Sequence, residues 1–272
     1  MARGTSGAAL DRWYRAHGRH DLPWRLTRDR WTVLVSEVML HQTQVARVLT
    51  AWPEFVAQFP TARALADAGP GAAIAAWGRL GYPRRARALY ETATVVAHDG
   101  WPDDLTSLPG VGPYTAGALA ALTDDVDVPA VDVNIRRVCQ RLVGHALTPS
   151  AAEDAMQSIA APLLGRDRLL ALMDLGALVC TARSPRCDDC PLRPHCATRG
   201  PLAGEGPRRP AAYNGSFRQR RGGVLAALRV GRTRVADLDL EALESLVADG
   251  LAERRGAWAT LPGVSATPSS SA

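Results

Sequence analysis

Residues 105–119 read LTSLPGVGPYTAGAL. Two stretches of helical character flank a four-residue turn, Pro109 to Gly112. Glycines at its second and fourth positions allow tight geometry and close approach of the backbone. The helix that opens after Gly112 points its first N–H groups outward. Those groups and the loop amides suit a DNA phosphate, bound directly or through a monovalent cation. The alternative is an ordinary packing corner between two helices.

The rest of the first 200 residues has the same helical character. Apolar residues recur at three- and four-residue spacing, with Pro or Gly at the breaks, over 8–17, 31–52, 61–77, 84–98, 113–122, 133–142, 151–164 and 168–179. No pair of alternating β-type runs precedes residue 210, so an all-α fold is expected. Beyond it, 200–210 is rich in Gly and Pro and reads as a linker. Helical signals at 223–230 and 240–249 precede two short runs, 251–254 and 257–261, that suit a hairpin across Arg255 and Gly256. Helix, helix, hairpin resembles a small winged-helix segment; a packing appendage is the alternative. The end of the chain reads as a disordered tail.

The 272 residues are 47% hydrophobic, enough for one sizeable core or two lobes. No run of eighteen apolar residues is present, and Met1 to Leu10 lack the apolar centre of a signal peptide. A cytoplasmic protein without membrane partners is the expectation. The net charge of +5 permits a nucleic-acid partner without requiring one.

Four of the five cysteines fall within seventeen residues, as Cys180-x6-Cys187-x2-Cys190-x5-Cys196. Thiolates suit zinc or iron–sulfur clusters. Zinc sites usually have two tight C-x2-C pairs; this array has one, with wider arms, so a [4Fe–4S] cluster is favoured over zinc. The loop also carries Arg183, Arg186, Arg193 and His195, suited to phosphate.

Two carboxylates stand out. Glu37 is the acidic residue of an apolar helical run; burial would raise its pKa and make it a usable general acid, whereas a solvent-facing position would make it ordinary. Asp132 sits where a helix starts. It reads as an N-cap, and a cap aspartate can also be an immobilised, ionised catalytic group.

These stretches converge with others: LPWR at 22–25, SEVML at 36–40, QTQV at 42–45, LGY at 80–82, AVDVNIRRV at 130–138 and MDLGALVC at 173–180. Over residues 8–200 the chain resembles the A/G-specific adenine DNA glycosylases of the helix-hairpin-helix superfamily. The resemblance implies a six-helix lobe at 25–132 and a [4Fe–4S] lobe from 1–24 plus 133–200, with duplex DNA carrying a mispaired or damaged base between them. A linker at 201–215, a winged-helix-like segment at 216–265 and a tail at 266–272 follow. A nucleoid-associated monomer is implied. So are roles. Glu37 protonates a flipped adenine, Asp132 stabilises the sugar cation, Tyr114 lines the site and Asn134 supports the carboxylates. Gln42 enters the duplex. Trp24, Arg25, Leu40, His41, Thr43, Leu108, Gly110, Val111, Gly112, Thr115 and Leu170 belong to the base pocket or DNA surface. The endonuclease III branch has a lysine at the Tyr114 position that attacks the sugar and cleaves the strand. Tyr cannot form a Schiff base, so a monofunctional enzyme is expected.

Three departures bear on specificity. His41 stands where the family usually has Gln, and Leu170 where it often has Glu or Gln. About sixty residues follow the linker, in place of the usual Nudix-like domain. Removal of adenine opposite 8-oxoguanine or guanine leads, excision of another base is second, and a non-catalytic DNA-binding protein is third.

Overall fold

The computed structural model describes residues 3–203, 205 and 212–263. Residues 204 and 206–211 of the expected linker at 201–215 and all of the expected tail at 266–272 lie outside the described residues. Among the described residues, eleven α-helices and three short strands follow in order: α1 Arg3–His17, α2 Arg30–Leu40, α3 Val45–Gln58, α4 Ala62–Trp77, α5 Arg84–Asp99, α6 Pro113–Asp124, α7 Val133–Val143, α8 Pro149–Ala160, α9 Gly165–Leu178, α10 Phe217–Val230, β1 Thr233–Arg234, α11 Leu240–Ala248, β2 Glu253–Arg255 and β3 Trp258–Thr260. All described strands follow residue 210, as the sequence led us to expect.

Three helix readings change. The single helix expected over 31–52 is two, α2 and α3, because Gln42 turns the chain at φ 54°. The run at 61–77 is kinked inside α4, where Gly69 has φ 87° and Pro70 brings no N–H to the ladder. The run at 151–164 stops at Ala160, ahead of Pro162.

Contacts divide the chain into two units, Met1–Glu37 with Val111–Arg209 and Val38–Gly110 with Pro210–Ala272. These bounds differ from the expected lobes at 25–132 and 1–24 plus 133–200. The reason is that α6 packs on α9 and so groups with the cysteine-bearing half of the chain.

In the first unit, α1 packs on α8 and α9, and α7 on both. Helix α7 buries Ile135, Val138, Cys139 and Leu142, one helical stripe. A buried ion cluster ties the N-terminal segment to α9. Asp174 is fully buried, and Arg25 donates to both its oxygens at 2.7 and 2.8 Å; Arg19 donates to them from its backbone N and Nε at 2.9 and 2.7 Å. Burial alone would raise the Asp174 pKa, but the bonds and charge of Arg25 and Arg19 hold it low. Removing either partner would strand a buried charge.

In the second unit, α4 and α5 form the main helix pair. The C-terminal segment runs α10, β1, α11, β2, β3, with sheet order β1-β3-β2. A hairpin forms, but its turn is Gly256–Ala257, one residue later than expected: Arg255 ends β2 opposite Trp258, and Gly256 has φ 59°. Its first helix starts earlier than expected, capped by Ser216, whose Oγ accepts from Gln219 N. Strand β1, two residues long, had no legible pattern. The segment is pinned to α4 and α5: Asp249 pairs with Arg84, its carbonyl accepts from Arg87 at 2.8 Å, and Arg229 donates to the Ile74 carbonyl at 3.2 Å.

Candidate active site and cluster-binding loop

Glu37 lies near the end of α2 and is 3% exposed. Its carboxyl is pushed up to about 7, mainly by burial. The Tyr114 hydroxyl, from the first turn of α6, donates to it and pulls the pKa down; the Asp132 charge pushes it up, and Arg25 lowers it. Burial and the neighbouring carboxylates also raise the phenol of Tyr114 well above its ordinary value, so it stays a donor. The outcome is a carboxylic acid that holds or gives its proton near neutral pH.

Asp132 is the N-cap its position suggested. It caps α7, accepting from the backbone N of Asn134 at 2.9 Å and of Ile135 at 2.7 Å. Its other oxygen accepts from Asn134 Nδ2 at 2.8 Å. Asn134 is itself held: its Oδ1 accepts from Arg137 at 2.8 Å. Arg137 also donates to the carbonyls of Gly176 and Cys180, both at 2.7 Å. Gly176 is required there, because a Cβ would lie 2.8 Å from that of Asn134. A hydrogen-bonded chain therefore runs from Asp132 to the backbone of the first cysteine of the array. Arg137 was not among the expected site residues; two of its three partners are backbone carbonyls about forty positions away, which no local pattern signals.

Leu170 lines a hollow of about 580 Å³ with Tyr14, His20, Arg25, Arg166 and Asp167. Of these only Arg25 and Leu170 were expected. Arg25 commits its guanidinium to Asp174, so it braces the hollow. Trp24, Leu108, Val111 and Thr115 are buried.

Of the two helical stretches expected to flank Pro109–Gly112, the first is only a three-residue 3-10 turn, Leu105–Ser107, and the second is α6. Gly110 takes φ 75° and a Cβ there would lie 2.8 Å from that of Ala88. Gly112 caps α6 without a side-chain bond, and Pro113 follows at the first helical position. The first-turn amides of α6 thus lack a side-chain cap, the arrangement that receives an anion.

In the second unit, Leu40, His41, Gln42 and Thr43 lead from α2 to α3, with Gln42 exposed. Arg85 organises this turn, donating to the carbonyls of Val38 (2.9 Å) and His41 and lying over the rings of Trp77 and Tyr82. Burial, then the Arg85 charge, lowers the His41 pKa, so the imidazole is neutral at neutral pH.

The four array cysteines line one hollow of about 320 Å³ with Arg141, Arg193 and Arg199. Among the described residues no three His, Cys, Asp or Glu side chains converge to hold a single metal ion. Four thiols lining one hollow are the donor set that a [4Fe–4S] cluster takes. Donors also face the sulfurs: Arg141 to Cys180 Sγ and the Arg199 backbone N to Cys196 Sγ, both at 3.4 Å. Arg141 is itself buried and paired with Glu205 at 2.9 Å. Such donors stabilise thiolates bound to a cluster. Cys139 is apart from the array; burial pushes its thiol up to about 12.

Comparison with known proteins agrees with this geometry. The family model of the HhH-GPD superfamily base excision DNA repair proteins matches residues 35–162, and that of the iron–sulfur binding domain of endonuclease III matches 180–196. An adenine DNA glycosylase of Mycolicibacterium smegmatis is 46% identical over 89% of this chain and 90% of its own length. The chain belongs to the adenine DNA glycosylase family. It is thus a DNA N-glycosylase with a [4Fe–4S] cluster. Another family member, from Mycobacterium tuberculosis, is 45% identical over 93% of this chain and 91% of its own length. The human member is 36% identical, and the match covers 69% of this chain and 38% of that protein. Among solved structures, a thermostable thymine-DNA glycosylase superposes with TM-score 0.63 at 27% identity, over 71% of this chain and 94% of that one. A non-covalent endonuclease III–DNA complex gives 0.61 at 22% identity over the same shares, a likeness of fold. Among the described residues no helix is long and apolar enough to cross a membrane.

Proposed function

We propose that this chain hydrolyses the N-glycosidic bond of adenine mispaired with 8-oxoguanine or guanine in duplex DNA, without cleaving the strand. The observation that carries this reading is the pairing of Glu37, a buried acid with its pKa near 7, with Asp132, immobilised by three donors. The adenine is extruded, since its bond to the sugar is inaccessible in the stack. Glu37 gives its proton to the purine as the carbon–nitrogen bond breaks. Asp132 opposes the positive charge on the sugar. Water adds to the sugar carbon and its proton returns to Glu37. Tyr114 positions Glu37. The hairpin amides hold a phosphate, directly or through a monovalent cation, and Gln42 fills the space the base leaves. Cys180, Cys187, Cys190 and Cys196 would hold the cluster, and its loop would present arginines to the backbone. The protein acts as a monomer at the nucleoid.

A second reading, excision of another base, is favoured by Leu170, which offers the hollow no hydrogen bond. A panel of duplexes, each with one defined mispair, followed by alkali, separates the two. Cleavage after alkali at adenine opposite 8-oxoguanine or guanine supports the first; product solely at another mispair supports the second. Borohydride reduction during turnover should trap no protein–DNA adduct. A trapped adduct would overturn the monofunctional reading.

A further inference from the structure

The C-terminal segment has no part in this chemistry, yet one face of its sheet is unusual. The register places Arg234 opposite Trp258 and Trp258 opposite Arg255, so an Arg–Trp–Arg row crosses β1, β3 and β2. Cross-strand partners share a face. Arg232, two positions before Arg234, joins them: its guanidinium carbon lies 4.2 Å from the Trp258 ring centre, and that of Arg234 5.4 Å. Ala259, next to Trp258 on β3 and in register with Thr233, is buried on the opposite face.

The three arginines are exposed and Trp258 is half-exposed. Other arginines of the segment are matched by acids. Arg220 pairs with Asp239 and Glu241, and Arg221 with Asp249. On the sheet face Arg255 pairs with Glu253. Arg232 and Arg234 have no carboxylate partner among the described residues; their recorded contact is the indole. The platform is also fixed, being anchored to α4 and α5 through Asp249 and Arg229.

We propose that this face is a second contact for duplex DNA, binding the sugar–phosphate backbone outside the base-release site. A guanidinium presents a planar fork that matches phosphate oxygens. Stacking on the indole holds two such forks in place before binding, which lowers the cost of ordering long side chains. Contacts to phosphate carry no sequence information, so the proposed contact is independent of sequence. The inference rests on the reading that duplex DNA is the substrate, and equilibrium binding tests it apart from catalysis.

The experiment titrates the full-length holoprotein with an undamaged duplex over a range of salt. Each phosphate contact contributes about 0.9 to the slope of log affinity against log salt. The R232A/R234A variant should therefore lose roughly 1 to 2 from that slope, with weaker binding at every salt concentration. R220A, which removes an already paired charge from the same segment, should change the slope less. R232K/R234K should keep most of the slope and lose affinity, because lysine lacks the fork. An unchanged slope and affinity in R232A/R234A, with an unchanged melting temperature, would overturn the proposal. An equal effect from R220A would overturn it too, since net charge alone would then suffice. Loss of binding to polyglutamate with duplex binding intact would assign the face to an acidic protein instead. A duplex-binding loss in R232A/R234A, alongside wild-type protein that releases no adenine, would uphold this contact and sink the catalytic reading.

Discussion

Tyr114→Phe removes one hydrogen-bond donor from Glu37 while keeping the ring. The donor stabilises the ionised carboxyl, so its loss must raise a pKa already near 7. A hydrogen bond to a charged group contributes about 1.5–3 kcal/mol, or roughly 1 to 2 pKa units. At the lower end the carboxyl moves to about 8, and its protonated fraction at pH 8 rises from roughly a tenth to roughly a half. The assay is single-turnover release of adenine from pH 5.5 to 9. In wild type the rate should fall as pH rises through about 7, since the acid must be protonated. In Tyr114→Phe the plateau falls, because Tyr114 positions the acid, but the limb moves up by about one unit. At pH 8 the variant therefore keeps about five times more of its own plateau than wild type does. A limb that stays in place or moves down would refute the assignment of Tyr114 as donor to Glu37.

Linkage gives a companion result for stability. The folded state holds the Glu37 proton more tightly than the unfolded chain does. Its stabilising contribution is complete below about 4.5 and is lost as pH rises through about 7. Glu37→Gln should abolish base release, leave duplex binding intact, and gain up to about 3 kcal/mol over wild type between pH 4 and 8. A denaturant titration at both pH values checks this. Asp132→Asn separates cap from catalyst. Asn caps as well as Asp, so denaturation should change by under about 1 kcal/mol, whereas single-turnover release should fall on the order of 100-fold or more. Arg137→Ala removes three hydrogen bonds behind Asn134. Release should fall about tenfold or more, with a smaller loss of duplex affinity; unchanged release would remove Arg137 from the site. Cys187→Ser should lower iron content and visible absorbance, and weaken duplex binding through loss of the arginine loop.

The parts of the site written as local chemistry were legible in the sequence. Glu37 interrupts an apolar helical run, Asp132 stands at a helix start, and the glycines of 109–112 mark a turn. The parts that depend on distant partners were not. Tyr114 lies 77 positions from Glu37, and the resemblance, not spacing, joined them. Arg25 read as a pocket residue, but its donors meet Asp174, 149 positions away. Arg85 and Arg137 act mainly on backbone carbonyls, which every residue possesses, so nothing marks their targets. The break between α2 and α3 falls in His41-Gln-Thr-Gln, without Gly or Pro, because a positive φ at Gln42 carries the turn. Strand β1 is too short for alternation, and only its register revealed the Arg–Trp–Arg row.

The central claim is that Glu37 and Asp132 release a flipped adenine. The most direct test is single-turnover release from a duplex with one adenine opposite 8-oxoguanine, read after alkali, for wild type beside Glu37→Gln. We expect complete cleavage at the adenine for wild type and none for Glu37→Gln at equal DNA occupancy. A fully active Glu37→Gln, or a wild type that releases no adenine from this duplex or its guanine counterpart, would contradict the account.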